Sequence, residues 1–309
     1  MTLSICTLGK GRGAHLANLV RGLARQRTAP VELVVGVMQD RPYDLPEAPF
    51  TVRQIVLGGA AMPLAAARNA AARAASADRL AFLDIDCIPT PGFVGDYADR
   101  LGDRDAIVMG EVLYLPAGAT DDGIDFDRFA RLARKHDDRA GPPELPLGGC
   151  SDYRCFWSLN FAMRRDRFLA LGGFDEGYVG YGGEDTDFGR TATEAGVPLL
   201  WCRGALAYHQ HHPHHMPPVH HIDSVLANAR RFRAKWGHFT MEHWLRAFEL
   251  MGLIEKRGAD YVRLRDPHAD DLALTAQQSH QPYASSAAVL RILEERAAAR
   301  SAAPAIAAA

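Results

Sequence analysis

The chain has 309 residues, of which 48% are hydrophobic, and its 35 lysines and arginines nearly balance 37 aspartates and glutamates. This composition excludes a largely disordered chain and, at a formal net charge of -2, a general nucleic-acid binder, which would need a basic excess. The five cysteines include no Cys-x-x-Cys pair, which indicates free thiols in a reducing compartment rather than a disulfide framework or a thiolate zinc site.

The sequence has no secretory signal pattern at its N-terminus and no apolar run long enough to span a bilayer. We therefore expect a cytoplasmic protein without a transmembrane segment. Peripheral contact with a membrane surface stays open, because such contact need leave no strong mark in a sequence.

The first 115 residues alternate strand-like and helix-like patterns. The strand-like runs are TLSICTL, VELVVGVMQ, FTVRQIVL and RLAFLDI, and the helix-like runs are HLANLVRGLARQ and PLAAARNAAARAA. This alternation predicts an α/β fold with a mainly parallel central sheet flanked by helices. Ligands of such sheets bind beyond the carboxyl ends of the strands, where Asp40, Asp84 and Asp86 would lie.

The second half begins with a long stretch rich in Pro, Gly and Asp, residues 116–155, with one predicted helix, DFDRFARLARKH. Loops of this length are usually functional or mobile. The block from Phe156 to Trp201 predicts a strand, a helix, a Gly-rich loop, a second helix and a final strand. A histidine-rich tract follows, then a helical region from Asp223 to Ile254, and the Ala-rich end is expected to be frayed or disordered.

Two carboxylates interrupt the apolar run RLAFLDIDCIPTP. In an extended chain Asp84 and Asp86 would point to the same side, where two like charges repel. Either one keeps a proton or a positive partner sits between them, since uncompensated buried charge is unfavourable. A solvated turn after a strand is the alternative, because Asp near Pro is common in turns.

The segment GYGGEDTDF, Gly180–Phe188, places three glycines directly before a predicted helix. Glycines let the backbone approach a ligand closely. Its acids could serve only to cap the helix and complement its dipole, but three glycines exceed what a cap requires. Glu184 and Asp185 are therefore candidates for presenting a general base.

The late histidine tract offers imidazole ligands at positions 209, 211, 212, 214 and 215. Most of them are expected to lie in a solvated loop. His209, together with His211 or His212, could reach a cation that the Asp-x-Asp pair also holds, since imidazole and carboxylate together suit Mn²⁺ and related divalent ions. Such a cation would be the positive partner of Asp84 and Asp86.

These motifs together resemble a known family. The β-α-β start, AAARNAA, FLDID, NFAMRRDRFLALGGFDE, GGEDTDF and a late histidine are similar, over residues 2–215, to an inverting glycosyltransferase of the GT-A fold. The likeness is to family-two enzymes and to a galactosyltransferase-type C-terminal region with a Gly-Gly-Glu-Asp signature. It implies a GT-A domain at residues 1–221, with a nucleotide-binding half at 1–115 and an acceptor and catalytic half at 116–221. A helical extension at 222–295 and a disordered tail at 296–309 would follow.

The resemblance implies a donor site for a nucleoside-diphosphate sugar, with UDP-sugars favoured. Asp86 would ligate Mn²⁺ or Mg²⁺ together with Asp84 and with His209 or His212. Asp84 would also contact the ribose or sugar. The implied donor-binding residues are Thr7, Leu8, Gly9, Arg12, Asp40, Arg68, Asp84, Ile85 and Asp86. The chain departs from the family at Asp40, where the family often reads Asp-Asp-Gly-Ser, so base specificity is not implied.

The resemblance also implies how the acceptor reacts. Asp185 would deprotonate the acceptor hydroxyl, beside Glu184, and a single displacement would invert the anomeric configuration. The implied acceptor-binding residues are Trp157, Asn160, Tyr181, Gly182 and Gly183. Trp157 and Tyr181 would stack on sugar rings, although aromatic residues in apolar stretches are more often core. The acceptor would be a glycan or a small molecule, as in polysaccharide biosynthesis.

Two other classes of protein stay open. A sugar-nucleotide pyrophosphorylase also has an early glycine loop with an arginine, but the Gly-Gly-Glu-Asp loop and the late histidine speak against it. A metal-binding or carbohydrate-binding protein without catalysis would use the histidine tract as a storage site. The early LGKGRGAHL lacks the spacing of a phosphate-binding loop of ATPases or of a dinucleotide fingerprint.

Overall fold

A computed structural model of the chain describes residues 2–59, 61–277 and 282–302. The chain divides into two compact units, Met1–His211 and His212–Ala309. The second unit therefore begins within the histidine tract, ahead of the boundary at residue 221 expected from the sequence.

The first unit is built of alternating strands and helices. Its strands are β1 (Ser4–Gly9), β2 (Glu32–Val37), β3 (Thr51–Val56), β4 (Arg79–Leu83), β5 (Cys87–Pro89), β6 (Ile107–Met109), β7 (Val112–Tyr114), β8 (Arg134–Lys135), β9 (Leu147–Cys150), β10 (Asn160–Arg164), β11 (Leu199–Cys202) and β12 (Ala207–His209). Its helices are α1 (Gly13–Leu23), α2 (Leu64–Ala74), α3 (Phe93–Leu101), α4 (Phe126–Leu132), α5 (Arg165–Ala170) and α6 (Glu184–Glu194).

The central sheet has eight strands in the order β3-β2-β1-β4-β10-β6-β11-β9. The run from β3 to β4 is parallel, as the β-α-β pattern predicted, and β6 and β11 also pair in parallel. The strand β10 runs antiparallel between β4 and β6, and β9 is an antiparallel edge. The α/β fold with a mostly parallel sheet and flanking helices is therefore confirmed.

Close backbone and ring contacts position α2 and α6, the helices that carry site residues. A Cβ at Gly36 would lie 2.4 Å from the carbonyl oxygen of Ala67, so α2 packs directly on β2. Phe82 of β4 and Phe161 of β10 stack with centroids 4.5 Å apart. Phe174 and Phe188 stack beside them at 4.4 Å, which anchors α6 and the loop before it on the same face of the sheet.

A second sheet of four strands, β5-β12-β7-β8, was not predicted from the sequence. In this sheet β12 pairs antiparallel with β5 and parallel with β7. The register places His209 opposite Cys87 on one side and Tyr114 on the other. The long loop of residues 116–155 is consequently only partly irregular, since it contributes α4, β8 and β9.

The second unit contains α7 (Ile222–Trp236), α8 (Glu242–Leu250), β13 (Ile254–Arg257), β14 (Asp260–Arg263), α9 (Ala269–Thr275) and α10 (Ser286–Ala302). The helical region expected from Asp223 to Ile254 is two helices, because Gly237 adopts a left-handed conformation with φ 83° and ends α7. The antiparallel hairpin β13-β14 was missed by sequence analysis.

The expectation of a disordered tail from residue 296 is wrong for its first residues, because α10 runs to Ala302. Alanine and arginine, which dominate this stretch, have high helix propensity. Residues 303–309 lie outside the described residues. None of the helices in the described part of the chain combines the length and apolarity needed to cross a bilayer.

Candidate active site

The Asp-x-Asp pair lies in a turn directly after β4. The backbone N–H of Asp84 donates to the carbonyl of Leu159 at 3.0 Å, and that of Cys87 donates to the carbonyl of Asp84 at 2.9 Å. Asp84 pairs with Arg68, whereas Asp86 contacts Arg12 and His209.

Arg68 joins the end of β4 to the start of α6. Its guanidinium lies 3.3 Å from Asp84 Oδ1 and 3.0 Å from Glu184 Oε1, and only 5% of its side chain is exposed. The expectation that Arg68 lies near a nucleotide stays a prediction, and both ends of its guanidinium contact protein carboxylates. Burial raises the pKa of Asp84, and Arg68 opposes that rise.

The Gly-rich loop turns into α6 through two left-handed residues, Gly182 with φ 88° and Gly183 with φ 94°. These conformations require glycine and place Glu184 and Asp185 in the first turn of the helix. Desolvation, reinforced by the charge of Glu184, raises the pKa of Asp185 to about 7, although Arg68 works against the rise. Asp185 Oδ1 accepts a hydrogen bond from the backbone N–H of Thr186 at 2.7 Å.

His209 reaches Asp86 through the small sheet. Pairing of β12 with β5 puts the imidazole Nε2 3.4 Å from Asp86 Oδ1, and the backbone N–H of Gln210 donates to the carbonyl of Asp86 at 2.7 Å. The ring of Tyr114 stacks on His209 with centroids 4.7 Å apart. Arg12 Nη1 lies 2.5 Å from the other oxygen, Asp86 Oδ2.

The pair Asp86 and His209 fits a divalent cation by its chemistry. One carboxylate oxygen and one imidazole nitrogen lie side by side, the carboxylate is 7% exposed, and this donor set suits Mn²⁺ and related ions. His211 contributes its backbone carbonyl to a contact with His15 Nε2 at 3.3 Å. His212 is the first residue of the second unit, so its part in a metal site stays a prediction.

A polar cavity of about 220 Å³ opens near this pair. It lies between the first turns of α1, the loop after β7 and the residues that follow His209. Its polar lining includes the side chains of His15, Asn18, Thr120, Asp121 and Gln210. Gln210 is 2% exposed, accepts a hydrogen bond from Asn18 and donates to the carbonyl of His15, so the wall of the cavity is held by hydrogen bonds.

Several residues expected to bind the donor have side chains in the core. Thr7, Leu8 and Ile85 are 1%, 6% and 7% exposed, so their side chains do not face a ligand. The apolar residues Leu8 and Ile85 pack in the core, and the part of these positions in donor binding stays a prediction. At Gly9 a Cβ would lie 2.4 Å from Ile85 Cδ1 and 2.7 Å from the hydroxyl of Tyr43, a residue that sequence analysis missed.

The end of the second strand is tied to neighbouring loops. Asp40, which is exposed, accepts a hydrogen bond from the backbone N–H of Gly59 at 3.1 Å. Gln39, also missed from the sequence, accepts one from the backbone N–H of Gly11 at 2.9 Å. The bond from Gly11 holds the loop between β1 and α1, which presents Arg12 in a left-handed conformation with φ 52°.

The residues expected to bind the acceptor divide into two groups. Trp157 and Tyr181 are partly exposed, and Tyr181 is close enough to Glu184 and Asp185 that their charges add to burial in raising the pKa of its phenol. Asn160 is a correction, because it is fully buried. Its amide donates to the carbonyls of Glu111 and Ala205, and its oxygen accepts from the hydroxyl of Tyr97.

Comparison with known proteins gives two family models that match this chain. Residues 57–150 match the model of glycosyl transferase family 2, and residues 146–215 match the model of the N-terminal domain of galactosyltransferase. A validoxylamine A glucosyltransferase of Streptomyces hygroscopicus subsp. limoneus is 27% identical over 266 residues. That alignment covers 75% of this chain and 56% of the relative, so the chain spans little more than half of that enzyme's length.

Solved structures share the fold. A fragment of Staphylococcus aureus TarS, residues 1–349, crystallised with UDP-GlcNAc, superposes with a TM-score of 0.52 at 14% identity, covering 75% of this chain and 67% of the fragment. GalNAc-T7, crystallised with UDP, GalNAc and Mn²⁺, gives a TM-score of 0.51 at 16% identity, covering 68% of this chain and 44% of that protein.

The α/β fold is that of the GT-A glycosyltransferase structures, and the two family models match consecutive parts of the same domain. Within that class, the sequence relationship is to glycosyl transferase family 2 in the first part of the domain and to the galactosyltransferase model in the second.

Proposed function

We propose that this protein is a metal-dependent, inverting glycosyltransferase that moves a hexose or N-acetylhexosamine from a nucleoside-diphosphate sugar to a hydroxyl of a glycan or small molecule. The observation that carries the proposal is the Arg68 bridge, which joins the end of β4 to Glu184 and hence to the adjacent Asp185. The bridge brings together carboxylates separated by about a hundred positions, which supports one shared site for the donor and the acceptor.

Asp185 acts as the general base in this proposal. Its carboxylate takes the proton of the acceptor hydroxyl as the acceptor oxygen forms a bond to the anomeric carbon and the bond to the diphosphate oxygen breaks. A pKa of about 7 suits a base that works near neutral pH, because the carboxylate is then both available and basic enough. Arg68 neutralises the adjacent carboxylates and keeps the pKa of Asp185 from rising further.

Asp86 and His209 would hold the divalent cation, with Asp84 and His212 as further predicted ligands. When bound, the cation supplies Lewis-acid stabilisation of the negative charge that develops on the departing diphosphate. Arg12, 40% exposed and paired with Asp86, presents a second positive group at the same place. The Mn²⁺ and UDP found with GalNAc-T7, and the UDP-GlcNAc found with TarS, support Mn²⁺ and a UDP-sugar as the first ligands to test.

The donor and the metal are tested by thermal stabilisation. A panel of nucleotide sugars is added with Mn²⁺ or with EDTA, since a ligand that binds the native state raises its stability. We expect stabilisation by one nucleoside-diphosphate sugar in Mn²⁺ and its loss in EDTA. Equal stabilisation in both conditions would contradict a metal-bridged donor, and release of pyrophosphate rather than nucleoside diphosphate on turnover would identify a pyrophosphorylase instead.

Catalysis is separated from simple binding by Asp185→Asn. We expect transfer to fall by about two to four orders of magnitude, the usual contribution of a general base, while donor and metal binding persist. Asp187→Asn is a matched control in the same first turn of α6, because Asp187 is 1% exposed and its carboxylate accepts a hydrogen bond from Tyr178. Full turnover in Asp185→Asn would remove Asp185 from this role.

A cytoplasmic location belongs to the same proposal and rests on the five free cysteines, three of which are buried. Peripheral membrane contact is a separate question that vesicle sedimentation of the purified protein answers.

A further inference from the structure

Between β8 and β9 the chain makes a tight turn from His136 to Arg139. The backbone N–H of Arg139 donates to the carbonyl of His136 at 3.2 Å, and that of Asp138 donates to His136 Nδ1 at 3.1 Å. These bonds fix the imidazole and the arginine relative to each other. Neither side chain was singled out by sequence analysis.

Arg139 is an unusual buried cation. It is 5% exposed, and its Cζ lies 5.5 Å from the ring centroid of Trp157 and 5.3 Å from that of Trp201. Its Nη2 donates to the carbonyl of Gly110 at 3.1 Å, whereas its buried Nη1 has no hydrogen-bond partner among the described residues. Within the described ranges no carboxylate lies in ion-pair distance of it, and burial lowers its pKa.

An uncompensated buried charge is unfavourable, and an apolar side chain of similar size would fill the same space without that penalty. Stability alone therefore does not account for an arginine at this position. The planar guanidinium of Arg139 lies against the faces of both indoles and fixes their orientation, which an aliphatic side chain does not do.

A series of ring contacts leads from Arg139 to the proposed metal ligand. The rings of Trp157 and His136 meet edge to face at 5.2 Å, and those of His136 and Tyr114 do so at 5.4 Å. Tyr114 then stacks on His209 at 4.7 Å with 28° between the planes. We call these residues the ring series: Arg139, Trp157, His136, Tyr114 and His209.

A second route leads to the same tyrosine through the backbone. The carbonyl of Gly110, which accepts from Arg139, lies two residues before β7, and Tyr114 is the last residue of that strand. Two independent sets of contacts from Arg139 thus converge on the ring that holds the imidazole of His209.

We propose that Arg139 is a positioning residue that orients the imidazole of His209 through the ring series. The inference rests on the proposed function, because His209 is there a ligand of the divalent cation. Mutation of side chains that orient a metal ligand without contacting the metal typically weakens metal affinity by about 10- to 100-fold. Loss of Arg139 therefore weakens metal binding even though Arg139 contacts neither metal nor substrate.

Calorimetric titration with Mn²⁺ alone tests this without any turnover. We expect Arg139→Met and Tyr114→Leu each to raise the Kd for Mn²⁺ by about tenfold. Arg139→Lys, which keeps the charge but not the plane, should give a similar loss. Arg139→Met and Tyr114→Leu act on one series of contacts. The Kd for Mn²⁺ of the variant that carries both changes should therefore exceed that of the weaker-binding single variant by no more than about twofold.

The matched control is Arg190→Met, which removes a comparable arginine from the face of Tyr153, at 5.5 Å, outside the ring series. Its Kd should stay within about twofold of the wild type. Circular dichroism establishes that each variant folds, and if Arg139→Met does not, Tyr114→Leu and Arg139→Lys carry the test. Wild-type Kd values in the Arg139 variants, or fully additive losses in the double variant, would overturn the proposal.

The outcome is distinguishable from failure of the proposed function. If the wild-type protein transfers no sugar but Arg139→Met still weakens Mn²⁺ binding, the proposed transferase activity is refuted and the role of the ring series is supported. If the wild-type protein transfers sugar but the Kd for Mn²⁺ is unchanged in every Arg139 variant, the proposed transferase activity is supported and the role of the ring series is refuted.

Discussion

Replacing Arg68 by methionine removes the ion-pair bridge between Asp84 and Glu184. Arg68 is 5% exposed, Glu184 is 8% exposed, and Asp84 is 30% exposed. Removing one partner of such a buried pair leaves charge without compensation, which destabilises a protein by about 3–5 kcal/mol. We expect a loss of this size in the free energy of unfolding of the first unit, measured by urea denaturation at neutral pH.

The same variant should change the titration of its neighbours. Arg68 opposes the rise in the pKa of Asp84 and Asp185, so both pKa values should rise further without it. A carboxyl whose pKa in the folded state is raised destabilises the fold when ionised and ceases to do so when it gains a proton. The difference in stability between Arg68→Met and the wild type should therefore shrink as the pH falls below neutrality.

Arg73→Met is the matched control, because Arg73 lies on the same helix and pairs with Glu176 at the surface. That pair is 56% and 46% exposed, and exposed pairs contribute about 0–1 kcal/mol. If Arg68→Met were no less stable than Arg73→Met, or if its stability deficit did not depend on pH, the electrostatic account of the cleft would be wrong.

Three further outcomes follow from the site. The transfer rate should rise roughly tenfold per pH unit below pH 7 and level off above it, because Asp185 must lose its proton to act as a base; a flat profile from pH 5.5 to 8.5 would contradict that role. His209→Ala should raise the calorimetric Kd for Mn²⁺ by more than about tenfold, whereas the exposed His238→Ala should not. Gly183→Ala should lower the free energy of unfolding by about 1–2 kcal/mol and reduce the transfer rate. Gly196→Ala, with φ 72° at the other end of α6, should lower the free energy of unfolding by the same amount and leave the transfer rate unchanged.

The parts of the fold that depend on local patterns could be predicted from the sequence. Apolar periodicity is a short-range property, so the parallel strands and the flanking helices of the first half follow from it. The acids after β4 and at the start of α6 were found because an acid next to an apolar run or a glycine loop stands out from its neighbours.

The remainder depends on contacts between residues far apart along the chain. The pairing of β12 with β5 joins strands separated by more than a hundred residues, and no local pattern reports it. Asn160 was assigned to the acceptor by resemblance to the family, whereas its partners Glu111, Ala205 and Tyr97 become visible only in three dimensions. Arg68 was placed near the nucleotide by the same resemblance, and no local pattern indicates its pairing with Glu184, 116 positions away.

The position of His209 is determined by the hydrogen-bond ladder of a three-residue strand, β12. A slip of that strand by one residue would present Gln210 or Tyr208 to Asp86, because neighbouring side chains point to opposite faces. A slip by two residues would instead bring His211 to the same face. The histidine repeat therefore means that a slip by two residues in the direction of His211 keeps an imidazole facing the carboxylate, whereas a slip by one residue in either direction removes it.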